Sequence, residues 1–392
     1  MKKSANEFYS LPKDERKKRL MEIALVFLKL GTTAFGGPAA HVAMMEDEIV
    51  HKRSWLGKEK FLDLYGATNL LPGPNSTELA IHLGLERGGW AGLIIAGMCF
   101  ILPAMIIVIA LAAVYTAYGA LPEISGIMYG IKPVIIAVIL QALYRLGKSA
   151  VKDVFSGILG ACAVLASFLG LHELLLLALA GLIMMAFKNR GKLHKIKMSL
   201  WLPVIPIASL ASRGVPSGNM GLPAIFLTFL KIGSVLYGSG YVLLAFLEAD
   251  FVERLGVITN RQLLDAVSLG QFTPGPVFTT ATFIGYIING VPGAILATVG
   301  IFLPAFLLVG IVNPIIPKLR RSSWVSGLLD GVIIASLGLM AVVSIKLGIA
   351  AIMDVPTAVI AAVSVFIVFR YKINSAWLIL AGAAVGFIIS IL

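Results

Sequence analysis

Two stretches of this chain break apolar sequence with glycine, proline and small hydroxylated residues, and each stretch occurs twice. The first is Gly31-Thr32-Thr33-Ala34-Phe35-Gly36-Gly37-Pro38, matched by Gly233-Ser234-Val235-Leu236-Tyr237-Gly238-Ser239-Gly240. The second is Leu71-Pro72-Gly73-Pro74-Asn75-Ser76-Thr77-Glu78, matched by Thr273-Pro274-Gly275-Pro276-Val277-Phe278-Thr279-Thr280. Proline removes a backbone donor and clashes with the preceding turn, so Pro-Gly-Pro ends one helix. The helix that restarts after it presents unpaired N–H groups and about half a positive charge, which is an anion-binding end. The expected binding groups are Gly36, Gly37, Asn75, Ser76 and Thr77 in the first copy, and Gly238, Ser239, Gly240, Thr279 and Thr280 in the second. The competing reading is of tight turns between ordinary helices.

Charged residues inside apolar runs are the next candidates. Lys29 and Lys231 each stand two residues before the first glycine of a break. Charge at bilayer depth is costly and tends to be functional, so this pair suits a divalent oxyanion; the alternative is snorkelling to the interface. Lys132 has no counterpart, since Ile333 stands at the equivalent position. Glu78, His82 and Glu86 fall on one helix face. Glu78 and His82 are the candidates for proton coupling, against a plain polar face lining a water cavity. Glu46 matches Glu248 and Asp63 matches Asp265; these read as partners for basic neighbours or as residues that cap and position their segments. Only Cys99 and Cys162 are present, both in apolar runs, so neither a disulfide framework nor a metal site is expected. No cofactor motif appears.

These groups sit in a duplicated unit. Phe27-Leu28-Lys29-Leu30-Gly31 aligns with Phe229-Leu230-Lys231-Ile232-Gly233 at an offset of 229 − 27 = 202, which holds through Pro72-Gly73-Pro74. From Gly84 on Gly285 the offset is 201, and it continues through Pro103 on Pro304, Asp153 on Asp354 and Gly181 on Gly382. The organisation read from this is a basic N-terminal segment (1–20), a first repeat (21–187), a basic linker with a connecting helix near Leu200–Leu210 (188–220), and a second repeat (221–392). Leu11–Leu20 reads as a short basic interfacial helix with Ser10 as its N-cap.

Basic residues mark orientation. Arg145, Lys148 and Lys152 lie in a loop whose counterpart holds only Lys346, whereas Tyr115–Gly126 has no base and its counterpart has Lys318, Arg320 and Arg321. Leu169–Leu174 has none, and its counterpart holds Arg370 and Lys372. The bias flips at all three pairs, so the repeats are inverted, with the N-terminus and linker cytoplasmic. The expected count is about six plus one plus six crossings, or re-entrant pairs in place of the early ones.

The bulk numbers agree. Of 392 residues, 58% are hydrophobic and 13% charged, and the mean hydropathy is +0.94. A soluble domain carries about 25% charged residues. Apolar runs long enough for a bilayer include Trp90–Ala117, Val291–Ile316, Val325–Ile345 and Ile349–Phe369. The fold class is therefore an all-α polytopic membrane protein, with two inverted repeats whose broken or re-entrant helices meet at a mid-membrane site. The net charge of +12 reads as topology signals, not nucleic-acid binding. No nucleophile–base set and no Walker loop is present, so neither an enzyme nor a primary pump is expected.

Phe27-x-x-x-Gly31 leading to Phe35-Gly36-Gly37-Pro38, then Leu71-Pro72-Gly73-Pro74-Asn75 and Gly84, resembles the chromate ion transporter family in its long, two-domain form, over nearly the whole chain. The resemblance implies export of chromate across the cytoplasmic membrane, driven by a gradient of protons or a counter-anion, with sulfate as the natural look-alike. The second copy departs from the pattern at Ser239-Gly240 and Val277-Phe278, so unequal roles are expected. The alternatives are a carrier or exchanger of sulfate or another anion, and an anion channel.

Overall fold

The structure is a computed structural model that describes residues 8–119, 121–193, 220–237, 240–313, 316, 319, 322–371 and 373–391. The connecting helix expected at Leu200–Leu210, and Lys318, Arg320, Arg321 and Lys372 of the orientation argument, lie outside the described residues. Within them the chain is helical, with no strand.

Each repeat begins with a helix that stops at a break. In the first repeat this is α1 (Lys13–Thr33). The segment expected to form a separate interfacial helix at Leu11–Leu20 instead runs on into it: Pro12 is the N-cap and nothing interrupts the helix before Thr33. Gly36 and Gly37, at φ 103° and 80°, supply the backbone that only glycine adopts cheaply. They turn the chain into α2 (Pro38–Glu46), which continues as a π-helical turn over Asp47–Lys52. Ion pairs zip this arm back along α1: Lys29 to Glu48 at 3.0 Å and Arg53 to Glu22 at 3.1 Å.

The second break works likewise. α3 (Lys58–Thr68) enters and α4 (Asn75–Tyr118) leaves. α4 is two helices folded against each other, because Gly88 (φ −136°, ψ 19°) and Gly89 (φ 58°, ψ −151°) are non-helical. The fold is tight enough that a Cβ on Gly84 would collide with the Gly92 carbonyl and the Ala96 methyl. Glu22 also accepts from Arg87 at 3.0 Å and from the Trp55 indole at 3.1 Å, and Lys60 pairs with Glu86. The outer ends of both arms are thereby gathered at one end of the molecule, and both breaks lie at the other end of the arms. The early segments are thus helical hairpins that turn at the breaks.

The remaining helices are α5 (Pro122–Ala150), α6 (Val154–Phe168) and α7 (Glu173–Lys188). The second repeat gives the equivalents in order: α8 (Leu222–Val235), α9 (Leu243–Leu247) with a π-helical turn Glu248–Arg254, α10 (Asn260–Phe272), α11 (Thr280–Val312), α12 (Ser323–Ala351), α13 (Val355–Arg370) and α14 (Ser375–Ile391). The fold in α4 recurs in α11, where Asn289 and Gly290 take nearly the same angles as Gly88 and Gly89. The apolar run Ile349–Phe369 is divided here: α12 ends at Ala351, and Asp354 caps α13 in a reciprocal box with Thr357.

The two repeats run in opposite senses. Tyr129, early in α5, hydrogen-bonds Asp354 just beyond the end of α12 at 2.7 Å, while Lys152, just beyond the end of α5, meets Asp330 early in α12 at 3.5 Å. The equivalent helices α5 and α12 are therefore antiparallel. They are also exchanged: α5 packs on α13 and α14 of the other repeat, and α12 packs on α6 and α7. Among the described residues, four helices are long and apolar enough to cross a membrane, within Asn75–Tyr118, Ile124–Ala150, Val277–Val312 and Ser323–Ala351. Ile106, Leu165, Ile311 and Phe366 turn outward from their helices, all more than half exposed. A bilayer covers such surface and water does not.

At the centre, the breaks of one repeat hydrogen-bond those of the other. Gly73 donates to the Leu236 carbonyl at 2.8 Å, and Gly275 donates to the Ala34 carbonyl at 2.9 Å. Gly73 and Gly275 are equivalent, as are Ala34 and Leu236, so the contact is self-complementary.

Close helix packing at Gly84 yields a stability test. Gly84→Ala is expected to cost about 1–3 kcal/mol through overpacking. Gly348→Ala, in a helix with open space around the glycine, is expected to be neutral or to stabilise by up to about 1 kcal/mol. Thermal unfolding in detergent reads both; equal melting temperatures for the two variants would refute the tight fold in α4.

Candidate functional site

The breaks and the exchanged helices enclose a cavity of about 470 Å³. Its lining includes Gly36, Asn75 and Ser76 from the first repeat's breaks and Gly240, Tyr241, Val277 and Phe278 from the second's. α5 adds Gln141, Arg145 and Ser149, α3 adds Tyr65, and Asn69 follows at its C-cap. Asn75 is the first residue of α4 after Pro74, and the first intrahelical donor is Glu78 N–H, bonded to the Pro74 carbonyl at 2.9 Å. The N–H groups of the first turn before it are the unpaired ones. Asn75 is held by its own amide, which donates to Asn69 Oδ1 at 3.0 Å.

Ser76 is positioned by His41, which sequence reasoning passed over. His41 is buried, with Nε2 at 3.1 Å from the Ala34 carbonyl and Nδ1 at 3.4 Å from Ser76 Oγ. A carbonyl only accepts, so Nε2 carries the proton and Nδ1 accepts from the serine. The signal was available as a lone histidine in an apolar stretch just after a break.

The other expected groups are distributed differently. Gly37 is buried, nearest to the Tyr241 hydroxyl, and Gly240 lines the cavity. Thr77 is fully buried and its hydroxyl has no partner among the described residues. Thr279 and Thr280 are buried, and their hydroxyls donate to the Pro276 and Val277 carbonyls at 2.8 Å. Gly238 and Ser239 lie outside the described residues. Lys29 pairs with Glu48, and Lys231 with Asp250 at 2.6 Å. Glu48 and Asp250 are themselves equivalent, 48 + 202 = 250, so the lysine charge is matched internally in both copies. The cavity's own cation is Arg145, which has no carboxylate within ion-pair distance among the described residues. In the sequence it reads only as a loop base that marks orientation.

Glu78 and His82 follow Asn75 along α4 and are both fully buried. Neither carboxylate oxygen of Glu78 and neither ring nitrogen of His82 is hydrogen-bonded among the described residues. Glu78 Oε1 lies where a Cβ on Gly73 would be, so the Pro-Gly-Pro turn seals the carboxyl directly. The equivalent residue, Thr280, brings no charge.

A second cavity, of about 570 Å³, lies toward the other end of α5, lined by Tyr115, Thr116, Lys132, Arg261, Gln262 and Asp265. Lys132 and Asp265 form a buried ion pair at 2.9 Å, both side chains 3% exposed, and Tyr115 donates to Asp265 at 2.8 Å. The unmatched lysine of the first repeat thus finds its acid in the second. No group of three or more metal-ligating side chains occurs among the described residues.

Breaking a buried pair leaves an uncompensated charge, whereas replacing both partners with apolar groups is often neutral. Asp265→Asn is therefore expected to lower stability by about 3–5 kcal/mol, and Lys132→Met with Asp265→Leu to recover most of it. Detergent melting curves of the two variants check this; an undisturbed single variant would show the pair to be uncoupled.

Comparison with known proteins agrees with this architecture. The chromate transporter family profile matches twice, at residues 21–185 and 223–387. A chromate transport protein of Cupriavidus metallidurans is 31% identical over 375 residues, 93% of this chain and 92% of that protein. A probable chromate transport protein of Synechococcus elongatus is 30% identical over 351 residues, 88% of each chain. The uncharacterized transporter YwrB of Bacillus subtilis is 27% identical over 173 residues, 44% of this chain but 86% of its own. It is about one repeat long. No solved structure matches. Two matches, one on each half, and relatives similar from end to end make this chain a member of the chromate transporter family, a multi-pass membrane protein.

Proposed function

We propose that this protein is a secondary carrier that exports chromate, or a closely similar tetrahedral oxyanion such as sulfate, from the cytoplasm. The observation that carries the reading is the cavity at the repeat interface, where the first turn of α4 and Arg145 face one space. A dianion there accepts from the backbone N–H groups and from the second N–H of the Asn75 amide, with the guanidinium supplying charge and two parallel donors. Gln141 and Tyr241 complete a polar shell.

The end of α5 that the cavity reaches supports this direction. The cavity reaches Arg145 and Ser149, at the basic end of α5 where Lys148, Lys152 and Lys188 also lie. Basic ends face the cytoplasm, as does the N-terminus in this reading, so the cavity loads from inside. Glu78 is the coupling residue. It sits where ionisation requires access to water, so proton exchange is tied to the movement that opens the Pro-Gly-Pro seal, and His82, one turn on, is its neighbour along that path. A counter-anion occupying the same cavity on the return is the other form of coupling.

Chromate flux into proteoliposomes, with and without internal sulfate and an imposed pH gradient, tests the carrier. Saturable flux stimulated by either condition is expected; flux that is neither saturable nor stimulated would indicate a channel. Arg145→Ala is expected to raise the half-saturating chromate concentration roughly 10–100-fold, the worth of one charged hydrogen bond, with Arg145→Lys between. Unchanged half-saturation would remove Arg145 from the site. Glu78→Gln is expected to flatten the pH dependence of flux, and a profile like the parent's would remove Glu78 from coupling.

A further inference from the structure

The two repeats are the same unit caught in two arrangements. Arg145 of α5 is equivalent to Lys346 of α12, since 145 + 201 = 346, and Glu46 is equivalent to Glu248, since 46 + 202 = 248. In the second repeat the pair is closed: Lys346 contacts Glu248 at 3.0 Å and also Glu253. In the first it is open. Arg145 lines the cavity, and Glu46 pairs instead with Lys58 at 3.2 Å.

Burial at equivalent positions tells the same story. Leu62 is 48% exposed and Leu264 0%; Ala43 is exposed and Ala245 is buried; Asp63 is exposed and Asp265 is buried. α9 packs on α12, and α10 packs on α5, α12 and α14. Their equivalents α2 and α3 make no comparable contact with α5, α12 or α7. The arms of the second repeat are docked on the long helices, and those of the first stand off from them.

We propose that Arg145 alternates between the transported anion and Glu46. In the opposite state α2 and α3 dock on α5 as α9 and α10 now dock on α12. Arg145 then closes on Glu46, the Lys346–Glu248 pair opens, and Lys346 becomes the cation of the cavity at the other mouth. Glu46 is thereby the internal competitor that takes the guanidinium from the substrate, which ties anion release to closure. The identity of the anion rests on the carrier reading above; the alternation of the pairs does not.

The test reads conformation without substrate. Single cysteines at Ala43→Cys and Ala245→Cys, with Cys99 and Cys162 replaced by serine, are labelled in membrane vesicles of both orientations with an impermeant maleimide. Lys346→Ala, which unlocks the closed side, is expected to lower labelling at position 43 and raise it at position 245, each by about fivefold or more. Glu46→Gln, which removes the closing partner of Arg145, is expected to lower labelling at position 245. Opposed shifts of this kind support the alternation even if chromate flux is absent, in which case the substrate assignment alone falls. Unchanged labelling in Lys346→Ala, or a rise at both positions as general loosening would give, overturns it even in a protein that carries chromate.

Discussion

The fold depends on two hydrogen bonds between helix breaks, Gly73 to Leu236 and Gly275 to Ala34. A helix that stops short leaves its last carbonyls without partners, and lipid supplies none. Here each stranded carbonyl is capped by the other repeat's Pro-Gly-Pro turn. His41 also reaches the Ala34 carbonyl from within its own repeat, but both breaks take a backbone donor from the other half, and the halves meet there. Gly73 and Gly275 hold φ of 142° and 93°, a backbone that side chains resist. Once the turns are fixed, the first turn of α4 is fixed, and with it the unpaired N–H groups that face the cavity.

Much of this was legible in the sequence because it rests on local chemistry. Pro-Gly-Pro and the paired glycines forced the breaks, the offset of 202 revealed the repeat, and the flipped basic residues gave the inversion that the antiparallel α5 and α12 display. What stayed hidden is long-range. The α5 and α12 helices exchange partners between repeats, and no local pattern encodes a neighbour. Gly88-Gly89 looks like any small-residue pair, yet it folds α4 on itself. The interfacial helix at Leu11–Leu20 merges into α1 because nothing between them breaks helical sequence.

The site teaches a different lesson about repeats. Lys29 and Lys231 attracted notice because both copies have them. Both have them because both copies zip an arm with the same ion pair, Lys29 to Glu48 and Lys231 to Asp250. Duplication preserves what the shared unit needs to stand. Several residues in and beside the two cavities are instead ones in which the copies differ. Glu78 faces Thr280 in the alignment, Lys132 faces Ile333, and Arg145 faces Lys346. His41, which holds Ser76, falls on Leu243.

That division follows from what an inverted pair has to do. A perfectly symmetric pair has no preferred side, because its two mouths are equivalent and its two end states equal in energy. A preference for one of the two states requires the copies to differ at some of their contacts, while remaining alike where they build the arms. The buried Lys132–Asp265 pair with Tyr115, absent from the equivalent positions, ties α5 and α4 to α10. Glu78, whose carboxyl lies against Gly73, is replaced by Thr280 at the equivalent position. Alike in scaffold and unlike in these few side chains, the two halves can rock between related states without those states being the same.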